Sequence, residues 1–228
     1  MHDHRGNGVT HLPQDFDAAE RAAVYRAIAS RRDVRAQFVE DDVPQDVLLR
    51  VLEAAHHAPS VGLSQPWRFV VVRSAATRAA VHDAFLAANE CAGAIYDDDR
   101  QSAYVKLRLE GIRTAPVNIC VVCDESTSRG HGLGRQTMPE TARYSTVCAV
   151  QNLWLAARVE GLGVGWVSII DPAALRAIVG VPPAVTIVAY LCVGYVSTFE
   201  SEPDLVRAGW ETHVPLADVI DRERYGER

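Results

Sequence analysis

No stretch of the 228 residues reaches the roughly 18 consecutive apolar positions that a membrane-spanning helix needs, so no spanning segment is expected. Basic charge is also short. Twenty-three Lys and Arg against 29 Asp and Glu leave a net charge of -6, which argues against a nucleic-acid or acidic-membrane partner. Cysteine is sparse and odd in number: Cys91, Cys120, Cys123, Cys148 and Cys192. The pair in CVVC, 120–123, has zinc or redox spacing, but no second pair follows. Its valines read as a strand with buried thiols, which suits a reducing cytoplasm. Internal repeats and low-complexity linkers are missing, and MHDHRGNGVTHLPQDF lacks the apolar centre of a signal peptide. Residues 1–16 are expected to form a flexible arm, with His2, His4 and His11 in a polar tail rather than on a metal.

What is present is a hydrophobic content of 48% with 23% charged residues, enough for one sizeable core. Apolar spacing predicts a helix over 17–30 with Val24, Ala27 and Ile28 on one face. A second helix follows Pro44, striped by Val47, Leu48, Val51, Leu52 and Ala55, and a third spans 74–92. The longest runs from Thr141 to Glu160. Its Val147, Val150, Leu153, Trp154, Ala157 and Val159 leave little polar surface, so it is central or covered by a second subunit. Buried strands are expected over 68–73 and 115–124, and further strands over 164–170 and 185–195, from their β-branched runs. Residues 125–140 read as a loop, and 93–112, charged in the middle, as a lid. Residues 17–228 then make a single α+β domain with a mostly antiparallel sheet.

Three stretches can carry chemistry. SRRDVR, 30–35, gathers Arg31, Arg32 and Arg35, whose guanidinium forks suit a phosphate. The alternative is a basic end that relieves the dipole of the preceding helix. APSVGLSQPW, 58–67, places Ser60, Gly62, Leu63, Ser64 and Gln65 between two prolines. That is either a rigid ligand loop rich in hydrogen-bonding groups or an ordinary helix-to-strand turn. GLGVGWVS, 161–168, superficially matches a dinucleotide fingerprint. It follows a helix and precedes a strand, which is the wrong order for that motif. Bare backbone there could lie against a flat ring, with Trp166 and Ser168 at the edge.

Taken in order, SRRDVR, APSVGLSQPW, YSTVCAVQNLWLAARVEGLGVGW and VAYLCVGY resemble the FMN-dependent nitroreductase-like family, over roughly residues 20–210. The resemblance implies an intertwined homodimer with FMN at the subunit interface. It implies that Arg31, Arg32, Asp33, Val34 and Arg35 line the phosphate, ribityl and pyrimidine side of FMN. Ser60, Gly62, Leu63, Ser64 and Gln65 then come from a loop that crosses into the other subunit's site. Leu109, Trp166 and Ser168 complete the binding set, and Arg207 adds a second phosphate contact.

Two departures narrow the branch. Ordinary members carry a small or neutral polar residue where Asp33 stands, and asparagine where Leu63 stands. With Ser168, these departures resemble the branch in which reduced FMN is the substrate. There O2 fragments it into 5,6-dimethylbenzimidazole, the lower ligand of cobalamin, and erythrose 4-phosphate. Such chemistry needs a dry, lidded site and a positioned acid/base near the ribityl chain. Asp33 fits that task, and Ser168 fits a hydrogen bond near flavin N5. The bland alternatives are a salt bridge orienting Arg31 or Arg35, and an ordinary buried hydroxyl. A separate reductase is expected to supply reduced FMN, with NAD(P)H used indirectly. The competing functions are an NAD(P)H-dependent nitroreductase or quinone reductase, and a flavin-storage protein without turnover.

Overall fold

The run VNICVVC, small or β-branched at nearly every position, becomes the central strand of a four-stranded sheet in a computed structural model that describes residues 15–227. This strand, β2 (Val117–Cys123), is buried along its whole length. It pairs antiparallel with β1 (Trp67–Val72) on one side and β4 (Thr186–Tyr195) on the other. At the far edge β4 pairs antiparallel with β3 (Leu162–Val167), giving the order β1-β2-β4-β3. Side-chain alternation sends Val117, Ile119 and Val121 into one core and Cys120 and Val122 into another. Each such valine or isoleucine contributes about 1.5–3 kcal/mol by leaving water.

Helices cover both faces. The first core lies against α2 (Gln45–His56) and α5 (Thr141–Val159), through Val47, Leu48, Val51, Val150 and Leu153. The second lies against α3 (Ala75–Gly93) and α6 (Pro172–Val179), through Val81, Phe85 and Leu175. Three further helices lie outside these layers: α1 (Ala18–Ser30), α4 (Asp98–Tyr104) and α7 (Asp204–Arg207). Among the described residues, no helix is long and apolar enough to cross a membrane. The α+β class and the antiparallel sheet agree with the sequence reading.

Several expectations need correction. α1 forms with a capping box between Asp17 and Glu20, yet none of its residues is buried. Its stripe of Val24 and Ile28 therefore lies open in the single chain. α5 is central on one side, where it meets the sheet, while Tyr144, Val147 and Val159 are exposed in the single chain. β1 is half exposed rather than buried. Gly161 ends α5 in the left-handed region, but Gly163 already belongs to β3. β3 stops at Val167, short of the 164–170 span expected. Cys120 and Cys123 are buried in the sheet, and burial pushes the Cys120 thiol up to about 12, far from reactive. The arm expected over 1–16 lies outside the described residues apart from Asp15 and Phe16.

Candidate functional site

Beyond Ser30 the chain leaves α1 in extended form and docks on the open edge of β3. Asp33 bridges Val164 in parallel register, and the Val34 N–H donates to the Val164 carbonyl at 3.0 Å. Only glycine permits this approach: a Cβ on Gly165 would stand 2.1 Å from the Val34 carbonyl oxygen. The glycine pattern of the third stretch thus makes room for the arginine segment itself.

Docking brings Asp33 and Arg35 onto the backbone of Trp166. The Trp166 N–H donates to Asp33 Oδ1 at 3.0 Å, and Arg35 Nη1 donates to the Trp166 carbonyl at 2.8 Å. Arg35 Nη2 donates to Asp33 Oδ2, closing the clip. Burial is the largest influence on the Asp33 carboxyl and raises its pKa. Arg35, the Trp166 N–H and Arg31 oppose that rise. Its side chain still keeps 40% of its surface accessible, so a ligand can reach the carboxylate.

The three arginines have different tasks. Arg32 donates to the carbonyls of Ala29 at 2.8 Å, Arg31 at 2.7 Å, and Ser201. Its Nη1 thus caps the end of α1, as the dipole alternative anticipates, while Nη2 reaches Ser201 and the buried Nε has no partner. The Arg31 guanidinium lies 5.0 Å above the Trp154 ring, without a carboxylate partner among the described residues. Trp154 also donates its Nε1 to the Arg32 carbonyl at 3.1 Å and lies 6.4 Å from Trp166, ring to ring. Sequence reasoning assigned Trp154 only to packing. Arg207 is already paired with Glu200 at 2.9 Å and Asp204 at 3.3 Å. Any phosphate contact by Arg207 has to compete with those two carboxylates.

The Ser60–Gln65 loop lies elsewhere. The Val61 N–H donates to Ser145 Oγ at 3.0 Å, near the start of α5, and the Gln65 N–H donates to Ser60 Oγ at 3.1 Å. Leu63 and Gln65 both adopt left-handed backbone, with φ of 53° and 44°. Gly62, also left-handed, packs under the backbone of Gly130 and Leu133. Leu63 is 71% exposed, whereas Ser64 is fully buried and its hydroxyl has no partner. Arg129 Nη2 holds Gln65 Oε1 at 3.0 Å, a contact that no sequence signal revealed. Ser145 and Trp154 are nine residues apart on α5, about 14 Å along its axis. Within one chain, the loop and the arginine segment therefore stand at opposite ends of the central helix.

A cavity of 590 Å³ opens beside Arg35, walled by Phe85, Tyr104, Leu109, Glu110 and Thr114. The segment expected to act as a lid supplies Tyr104, Leu109 and Glu110, so Leu109 and that segment share one cavity with Arg35. Ser168 lies just beyond β3, two residues past Trp166, and is exposed rather than the buried hydroxyl of the bland alternative. Among the described residues no group of three or more His, Cys, Asp or Glu is arranged to hold a metal.

The profile of the nitroreductase family matches residues 28–195. The chain is 48% identical over 200 residues to a 5,6-dimethylbenzimidazole synthase of Rhodospirillum rubrum, covering 88% of this chain and 94% of that protein. It is 41% identical over 201 residues to a 5,6-dimethylbenzimidazole synthase of Rhodobacter capsulatus, covering 88% and 97%. Among solved structures, oxidized iodotyrosine deiodinase bound to FMN and 3-iodo-L-tyrosine superposes with a TM-score of 0.69 at 21% identity. That match covers 88% of this chain and 98% of that one, and the likeness is one of fold.

Proposed function

The chain belongs to the nitroreductase family, and on that premise we propose that it is a 5,6-dimethylbenzimidazole synthase, using O2 to fragment reduced FMN into 5,6-dimethylbenzimidazole and erythrose 4-phosphate. The observation that carries the reading is the clip on Asp33, which holds a carboxylate in one pose against Arg35, itself part of the cavity wall. Hydride relay alone gives such a residue no task. The two synthases that share 48% and 41% of this sequence support the same conclusion.

The donor set suits FMN. Arg31, without a carboxylate partner among the described residues, and the unpartnered Nε of Arg32 are cationic groups for a phosphate. Arg35 presents its guanidinium at the wall of a cavity large enough for a three-ring heterocycle. Gly165 lies under Val34 and offers no bare surface to a flat ring, so the ring is held from the Arg35 side. Reduced flavin supplies both the electrons that activate O2 and the carbon skeleton that is cleaved. Asp33 is the acid/base: its pKa, raised by burial, lets the carboxyl hold or accept a proton closer to neutral pH than an ordinary aspartate. Arg35 and Trp166 keep that proton-bearing group in register. Ser168 donates a hydrogen bond at the flavin edge, and Leu63 with the 93–112 segment excludes water.

The separation of the two half-sites along α5 supports a homodimer in which the Ser60–Gln65 loop of a second copy completes the pocket. The exposed Leu63, Tyr144 and Val147 fit the same arrangement. In this reading 17–228 is one FMN-binding domain, and a separate flavin reductase delivers reduced FMN in the cytoplasm. The test supplies chemically reduced FMN anaerobically, admits air and assays benzimidazole by mass. Product in proportion to the protein sites is expected. Flavin returned whole, with rapid NADPH oxidation over many turnovers, would make the protein a nitroreductase instead.

A further inference from the structure

Three aromatic rings from distant parts of the chain meet behind the cavity wall. Tyr96 and Tyr104 lie 5.2 Å apart, and Trp210 meets Tyr96 edge-on at 5.4 Å and Tyr104 at 6.2 Å. The Arg100 guanidinium sits 4.9 Å above the Trp210 ring, and its Nη1 donates to the Trp210 carbonyl at 3.1 Å. Tyr104 is the ring of the three that lines the cavity. It is 6% exposed, its hydroxyl donates to Asn89 Oδ1 at 2.7 Å, and its ring lies over Gly93, where a Cβ would meet it at 3.3 Å.

α4 has seven residues, too few to hold a helix without outside contacts. Its placement therefore depends on what packs against it, and Trp210 supplies such a contact from outside the α3–α4 region. Beyond Trp210, residues 211–227 are exposed throughout, so this ring is the last part-buried position of the described chain. Trp210 also ends the segment that serves the arginine cluster. Ser201 accepts from Arg32, Glu200 and Asp204 pair with Arg207, and the Trp210 N–H donates to the Leu205 carbonyl at 2.9 Å. One short stretch, 200–210, thus touches the arginines at one end and the cavity cover at the other.

We propose that Trp210 is a positioning residue that latches the 93–110 segment shut beside Arg35 while flavin is cleaved, through its stacking on Tyr96 and Tyr104. The proposal rests on the flavin-cleaving reading above. Opening the latch lets water reach the site, and reduced flavin is then reoxidised whole by O2 instead of broken.

The test compares Trp210→Ala, Trp210→Phe and Tyr96→Ala in the full chain. One readout is amide hydrogen exchange over 96–105 with oxidised FMN added; the other is benzimidazole formed per reduced FMN consumed. Trp210→Ala should lose protection over 96–105 by about tenfold. Its benzimidazole yield should fall by about threefold or more, with intact FMN making up the difference. Trp210→Phe should restore most of both, and Tyr96→Ala should move both in the same direction by less. Wild-type protection in Trp210→Ala would overturn the latch, as would Trp210→Phe behaving like Trp210→Ala. If Trp210→Ala does not accumulate folded, wild-type protection and yield in Tyr96→Ala overturn it. Should the wild-type chain make no benzimidazole, the function assigned above fails, and the exchange arm with oxidised FMN still decides whether Trp210 holds the segment closed.

Discussion

At the C-terminal end of α5 both carboxylate oxygens of Asp33 are clipped, one to the Trp166 backbone and one to Arg35. At its N-terminal end the Ser60–Gln65 loop carries two non-glycine residues in left-handed backbone, a buried hydroxyl without a partner and an exposed leucine. The first region satisfies both oxygens of its carboxylate within one chain. The second holds strain of about 1–3 kcal/mol per residue with no visible return in the same chain. Preorganisation marks the half proposed to do proton chemistry, and unmet contact marks the half proposed to meet a second copy.

The contrast can be broken first at Asp33. Asp33→Asn should still bind FMN within about tenfold of wild type, by fluorescence quenching, yet lose benzimidazole formation by about a hundredfold or more. Undiminished product would return Asp33 to a plain salt bridge. Ser168→Gly should divert most turnovers to whole-flavin reoxidation, lowering yield about tenfold in the same mass assay. A normal yield would remove Ser168 from the mechanism.

Gly165→Ala probes the docking beneath the clip. A methyl group 2.1 Å from the Val34 carbonyl forces the two segments apart. The expected cost is about 3 kcal/mol, seen in thermal melts as a drop of about 6–12 °C. The strained loop should respond far less. In Leu63→Gly, relief of left-handed strain and the greater entropy loss of glycine offset each other, so chain stability should move by less than about 1 kcal/mol. Flavin affinity should nevertheless fall by about threefold as the apolar cover is lost. An unchanged affinity would place the loop outside the site.

The smallest effect is one of pH. Asp33 binds its proton more tightly when folded than its ordinary value of 3.8 implies, because burial raises its pKa. Between 3.8 and that raised value the folded chain holds more protons than the unfolded one. The contribution of this carboxyl to stability is therefore fullest below the window and is lost as pH rises through it. Denaturant titrations should show the stability of wild type relative to Asp33→Asn declining with pH across that window. A rise would mean that Arg35, not burial, dominates.

Much of the layered fold was legible. The stripe of α2 and the β-branched runs of β2 and β4 carry periods that local chemistry enforces. α6 was overlooked, although Asp171 at its N-cap, Pro172 in its first turn and Gly180 beyond its end mark its bounds. The clip joining Asp33 and Arg35 to Trp166 was not legible, because it depends on a glycine in a strand 130 positions away making room. Nor could composition separate the three arginines: Arg32 caps carbonyls, Arg207 is held by carboxylates, and Arg31 lies over an indole. Those tasks follow from tertiary neighbours.

The docking of Asp33 and Val34 on β3 has one more consequence. β3 is the outer strand of the sheet, and without that segment its N–H and carbonyl groups would offer a template to any other extended chain. The residues assigned to chemistry therefore also guard against edge-to-edge aggregation. A variant that pries them loose should lose solubility along with catalysis, so poor expression is an informative phenotype at Gly165.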